Sequence, residues 1–103
     1  MQVFTINYVP GKEIEAIGVV TGNVVQAKHI GRDLMAGLKN IAGGEIKSYT
    51  DLLNESRSIA KDRMVAEAEA LGADAIISMR FDASSIMEGT SEILAYGTAV
   101  KIK

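Results

Sequence analysis

The sequence predicts an α+β domain. It consists of an antiparallel sheet of about four strands, arranged as an N-terminal hairpin and a C-terminal strand pair, with one long and one short helix. Three observations carry this reading. Apolar residues recur at helical spacing from Tyr49 to Leu71, an extended run from Ala75 to Asp82 follows after a single turn, and β-branched and aromatic residues gather near both ends of the chain.

The long helix is expected from Tyr49 to Leu71. On a wheel of about 100° per residue, Tyr49, Leu52, Leu53, Ile59, Ala60, Met64, Ala70 and Leu71 form one broad stripe, with Asp51, Asn54, Glu55, Lys61 and Asp62 off it. Ser48 or Thr50 can serve as N-cap, and Asp51 places negative charge where the helix dipole favours it. Gly72 marks the C-terminal end, because a residue just past a helix often takes the left-handed conformation that glycine tolerates. Ser56, Arg63 and Glu67 interrupt the stripe at its middle. Arg63 and Glu67 stand four apart and can pair along the helix, at the margin of a core or subunit contact, with their stems covering apolar surface. The sharper alternative makes Arg63 an anion partner and Glu67 a metal or proton ligand.

At the N-terminal end, Val3 to Tyr8 reads as a strand and Val9-Pro10-Gly11-Lys12 as a type II turn. A second strand follows from Glu13 to about Val20, with Ile14, Ala16, Gly18 and Val20 on one face and Ile17 and Val19 on the other. Thr21-Gly22-Asn23 breaks or bulges it before Val24-Val25 continue the extended chain. A shorter helix is expected over Gly31–Ala42 from the spacing of Leu34, Leu38 and Ile41, although Gly37 costs it about 1 kcal/mol relative to alanine. Ala42-Gly43-Gly44-Glu45 ends that helix as a joint.

Beyond Gly72, the strand from Ala75 to Asp82 is expected to turn Ala75, Ile77, Met79 and Phe81 inward, with Ile76, Ser78, Arg80 and Asp82 opposite. The connection from Ala83 to Thr90 turns at Met87-Glu88-Gly89. In the last strand, Ser91 to Ile102, Leu94, Tyr96, Val100 and Ile102 point one way and Ile93, Ala95, Gly97 and Ala99 the other. The second set is small, which suits close approach by the alanine-rich half of the long helix. Strands apolar on both faces, together with Ile86 and Met87 in a loop, point to a homo-oligomer.

Length and composition bound the rest. A chain of 103 residues has room for one domain and one core. A net charge of −2, with no basic cluster and only three Tyr and two Phe, offers no platform for nucleic acid. The absence of cysteine excludes disulfides, thiolate metal sites and cysteine nucleophiles, and is neutral to mildly favourable for a reducing compartment. The start Met-Gln-Val-Phe-Thr-Ile reads as neither a signal peptide nor a membrane span, so the expected setting is cytoplasmic.

No motif names a reaction. Ser84-Ser85 and Ser56-x-Ser58 lack a base, and the glycines match neither a Walker A loop nor a dinucleotide fingerprint. His29 is a lone histidine. A divalent metal site would therefore draw on Asp82, Glu88 or Glu92, or on His29 from several subunits meeting at an axis. No EF-hand spacing of carboxylates is present. An enzyme site at a subunit junction would combine Arg63, Glu67 and Arg80 or Tyr96, and it ranks below a binding module for a small ligand or ion or a protein-interaction ring.

The run Arg63-Met64-Val65-Ala66-Glu67-Ala68-Glu69-Ala70-Leu71-Gly72-Ala73-Asp74-Ala75-Ile76-Ile77, with Arg80-Phe81-Asp82 behind it, resembles the YbjQ-like family of small bacterial and archaeal proteins. Gly43-Gly44-Glu45, Tyr49-Thr50 and Ala95-Tyr96-Gly97-Thr98-Ala99-Val100 extend the likeness over nearly the whole chain, as a single YbjQ-like domain over residues 1–103. The resemblance implies a dodecin-like β-α-β-β core assembled as a ring-shaped homopentamer. It also brings a heavy-metal-binding label, with no established activity and no agreed ligand residues. A dodecin-like fold would suggest flavin, but there is no tryptophan to sandwich an isoalloxazine, and fold does not imply function.

Overall fold

The structure, a computed structural model, describes residues 1–27, 47–87 and 89–103. The expected helix over Gly31–Ala42, the joint after it, His29 and Glu88 lie outside the described residues. Along the described chain the elements are β1 (Gln2–Val3), β2 (Ile14–Ala27), α1 (Lys47–Ala70), β3 (Ala75–Met87) and β4 (Thr90–Ile102). They form one four-stranded sheet in the order β1-β3-β4-β2, antiparallel except for the short parallel pairing of β1 with β3. The α1 helix lies on one face, here called the near face. No helix of the described residues is long and apolar enough to cross a membrane.

The N-terminal hairpin is not formed, because β1 and β2 lie at opposite edges of the sheet. The turn between them is present as expected: Lys12 N donates to Val9 O at 3.1 Å, and Gly11 takes a φ of 72°. What separates the two strands is the far face. Ala75, Ile77 and Val100 sit there with Ile14 and Ile102, and the segment between β1 and β2 crosses over them, burying Val9 and packing Phe4. Covering that apolar patch outweighs the local pairing that the turn alone would favour. Phe4 and Ile6 also continue alongside β3, accepting from Met79 N at 2.9 Å and Ser78 N at 2.8 Å.

The sheet carries three register slips, one of them near the end of β3 between Ser85 and Met87, and the other two set which way the core-facing side chains of β2 and β3 point. The register of β2 against β4 slips by one between Ala16 and Gly18, and that of β3 slips between Ile77 and Arg80. At the second site Ser78 and Met79 stand opposite Gly97, and Ser78 adopts φ 54°. The simple alternation expected for β3 is therefore corrected. Ala75 and Ile77 belong to the far-face cluster, whereas Ile76 and Met79 belong to the core beneath α1. β2 likewise runs unbroken through Thr21-Gly22-Asn23, and Ile86 and Met87 belong to β3 rather than to a loop. The β4 strand has no slip of its own, and Ile93, Ala95 and Ala99 enter the helix-covered core as its alternation predicts.

The α1 helix rests on β2 and β4 through a line of residues four apart: Ser56, Ala60, Met64 and Ala68, each with no exposed surface. Gly22 lies under that line. A Cβ there would collide with Ala60 O and Met64 N, and would stand 2.9 Å from the carbonyl carbon of Arg63. At so short a separation only small or flexible side chains fit, so the leucines are pushed to the flanks. Leu53 and Ile59 are half-buried beside the line and Leu71 is half exposed, which moves the buried stripe off the position that its bulky residues suggested. Ser56 Oγ, at the middle, accepts from Gln26 Nε2 at 2.7 Å and donates to Leu52 O at 2.9 Å.

The helix begins at Lys47, so Ser48 and Thr50 fall inside its first turn rather than at a cap. Its other end closes as expected. Ala73 N donates to Ala68 O, Gly72 N to Glu69 O, and Gly72 takes φ 77°, the paired bonds of a Schellman motif. Asp74 then ties the turn to the sheet: its N–H donates to Val100 O and its Oδ2 accepts from Ile102 N, both at 2.8 Å.

Candidate functional site

The far face of the sheet is covered at one end by the N-terminal segment and open at the other. Cross-strand register places three rows on the open part: Thr21, Tyr96 and Arg80; Asn23, Leu94 and Asp82; and Val25, Glu92 and Ser84. The alternation of each strand thus brings four of the sequence-predicted site residues, Arg80, Tyr96, Asp82 and Glu92, onto one surface. Tyr96 is 38% exposed.

Most of these polar groups already have partners. Arg80 Nη1 donates to Thr5 O at 2.9 Å and to Met79 O at 2.8 Å, so its guanidinium fastens the N-terminal segment to the slipped part of β3. Glu92 Oε2 accepts from Asn23 Nδ2 at 3.0 Å, and Asp82 Oδ1 accepts from the N–H of Ala83 at 3.0 Å. The arrangement is a polar surface that carries the ring of Tyr96. It is chemically suited to holding a ligand by hydrogen bonds.

Arg63 and Glu67 sit elsewhere, along the outer edge of β2. The pairing expected along the helix gives way to bonds across to the strand: Arg63 Nη1 donates to Asn23 O at 2.6 Å, and Thr21 N donates to Glu67 Oε2 at 3.3 Å. Sequence reasoning missed Thr21 and Asn23 as partners of these charges, and Thr5 as a partner of Arg80. Their role is carried by backbone atoms, which residue identity does not report. The one available signal was Gly22, whose missing side chain lets α1 come close enough for both stems to reach.

The oxygen ligands can be tested against a metal. Among the described residues no three of His, Cys, Asp and Glu come together, and Asp82 and Glu92, in adjacent rows, are both engaged as acceptors. A thiophilic or imidazole-seeking ion finds neither sulfur nor nitrogen ligands there, so a heavy-metal ion does not fit the described part of one subunit.

Comparison with known proteins places this geometry in a family. A family model described as "Putative heavy-metal-binding" matches residues 1–103. A UPF0145 protein of Colwellia psychrerythraea is 64% identical over 100 residues, covering 96% of this chain and 95% of that protein. One from Fervidobacterium nodosum is 60% identical over 104 residues, covering 100% and 96%. A crystal structure of a DUF74-family protein of unknown function from Pediococcus pentosaceus shares the fold at TM-score 0.70 and 18% identity, covering 100% of this chain and 98% of that one. Matched from end to end by the family model and by relatives at this level of identity, the chain belongs to the YbjQ family, the UPF0145 proteins.

Proposed function

We propose that this protein is a subunit of a homo-oligomeric ring, a cytoplasmic homopentamer, that acts as a small-ligand or ion-binding module or as an interaction ring. One observation carries the reading: from Arg80 through Met87 every residue of β3 is exposed, although Ala75 to Ile77 of the same strand are buried. Phe81, Ile86 and Met87 are 44%, 51% and 63% exposed. An uncovered strand with large apolar side chains is a surface that a second copy would cover. The pentamer number and the setting rest on the family resemblance and the cysteine-free composition. The ligand-contacting groups proposed are Arg80 and Tyr96 on the open far face; Arg63 and Glu67, candidates from the sequence, are engaged at the β2 edge by Asn23 O and Thr21 N.

Metal-ion binding is the second reading, favoured by the placement of Asp82 and Glu92 in adjacent rows of the far face. With Glu88 and His29 it would gather oxygen ligands and one nitrogen ligand from neighbouring subunits. That donor set suits a hard divalent cation better than a heavy metal.

Native mass spectrometry of untagged protein purified without chelators tests both. A mass of five 11.0 kDa subunits with a stoichiometric adduct is the expected result, and the adduct mass gives the ligand class. A clean monomer would overturn the assembly and with it the role given to the exposed half of β3.

A further inference from the structure

β2 is the last strand in the order β1-β3-β4-β2, so among the described residues its outward N–H and C=O groups have no further strand of the sheet to bond. An edge of this length is a ready template for another chain. At its middle the place is already taken. Thr21 and Asn23 are two apart and so turn the same way. Arg63 and Glu67 are four apart and lie on the same side of α1. The carboxylate of Glu67 accepts from Thr21 N as a neighbouring strand's carbonyl would, and the guanidinium of Arg63 donates to Asn23 O as a neighbouring strand's amide would. The close seat of the helix on Gly22 lets these two stems reach round the edge.

We propose that Arg63 and Glu67 guard the edge of β2, preventing a strand of a second copy from adding there and confining self-association to other surfaces. The strand excluded is the second half of β3, Phe81 to Met87. It is exposed throughout, and among the described residues no strand pairs it on the side away from β4. The two free edges lie on opposite sides of one sheet. Pairing between them would be head-to-tail and could continue from copy to copy without closing. Two side chains of opposite sign suit the task, since they match a donor and an acceptor while leaving the net charge of −2 untouched.

The test compares the full-length wild-type chain with the Arg63→Ala/Glu67→Ala variant by sedimentation and light scattering over a wide concentration range. The double substitution removes one charge of each sign, so any change in association cannot come from altered overall repulsion. The expected result is a mass that no longer reaches a plateau and rises roughly twofold or more above wild type, as open-ended association requires. Adding Thr21→Pro, which removes the freed N–H at an outward-facing edge position where proline is tolerated, should restore the wild-type mass. If the double variant loses its far-UV circular dichroism, Glu67→Ala alone, which frees only the Thr21 N–H, takes its place in the same comparison. A folded variant that keeps the wild-type mass at every concentration would overturn the proposal, as would extra mass that Thr21→Pro leaves in place.

Discussion

Gly22 of β2 lies directly beneath Met64 of α1, with the backbone of the helix resting on the backbone of the strand. Neither element can yield locally, because the atoms that a new side chain would meet belong to the main chain of Ala60, Arg63 and Met64. Gly22→Ala must therefore lift the helix from the sheet, and should cost about 3 kcal/mol, the upper end of ordinary overpacking. Urea unfolding checks this, with Gly11→Ala as the control. Gly11 has open space around it and only its left-handed φ to lose, so about 1 kcal/mol is expected there.

Ser78 is the non-glycine residue with positive φ among those described. Its N–H donates to Ile6 O, so the strained conformation is held by the N-terminal segment. Ser78→Gly keeps that bond and removes the steric cost, offset in part by the greater freedom of glycine in the unfolded chain. A net gain of about 0.5 kcal/mol, or roughly 2–4 °C in melting temperature, is expected by calorimetry.

Asp74 and Lys101 approach at 3.6 Å, but the carboxylate does more than pair. Its Oδ2 accepts from Ile102 N at 2.8 Å, and the lysine also donates to Gly72 O. The exposed ion pair should matter little, so Lys101→Met is expected to change stability by no more than about 0.5 kcal/mol. Asp74→Ala strands a β4 amide and should cost about 1.5 kcal/mol. Denaturant midpoints of the two variants, measured side by side, separate the contributions.

Zinc offers a direct test of the donor chemistry. At a zinc concentration a hundredfold above a site's Kd, binding contributes about 2.7 kcal/mol, which in a chain of this size lifts the melting temperature by roughly 10 °C or more. With only oxygen ligands at Asp82 and Glu92, and both engaged, a shift of at most about 1 °C is expected by differential scanning fluorimetry of metal-stripped protein. A large shift would direct attention to His29.

What the sequence disclosed follows from where the physics is local. The helix end at Gly72 was legible because a Schellman motif is written in adjacent residues. The two faces of β4 were legible because nothing interrupts its alternation. The faces of β3 were not, since the slip at Ser78 and Met79 answers to Gly97 across the ladder and to the N-terminal segment beside it. The missing hairpin has the same origin: the far-face patch that Val9 covers is assembled from three strands. At the candidate site the charged residues were found but their partners were not, because Arg63, Glu67 and Arg80 all bind main-chain atoms.

The slip in β2 and the first of the two slips in β3 flank the same short stretch of β4, from Gly97 to Val100. Each neighbour carries a surplus residue there while β4 keeps an unbroken count, so β4 acts as the reading frame for the sheet. Removing Ser78 would bring β3 back into frame, with Ile77 and Arg80 still on one side of the sheet. Removing a residue such as Asp82, where the count is already in step, would turn over the residues between it and the second slip of β3, between Ser85 and Met87. Length changes in this family should therefore be absorbed at the slips and excluded from the in-register ladder between them, a pattern that single-residue deletions scored for folding would reveal.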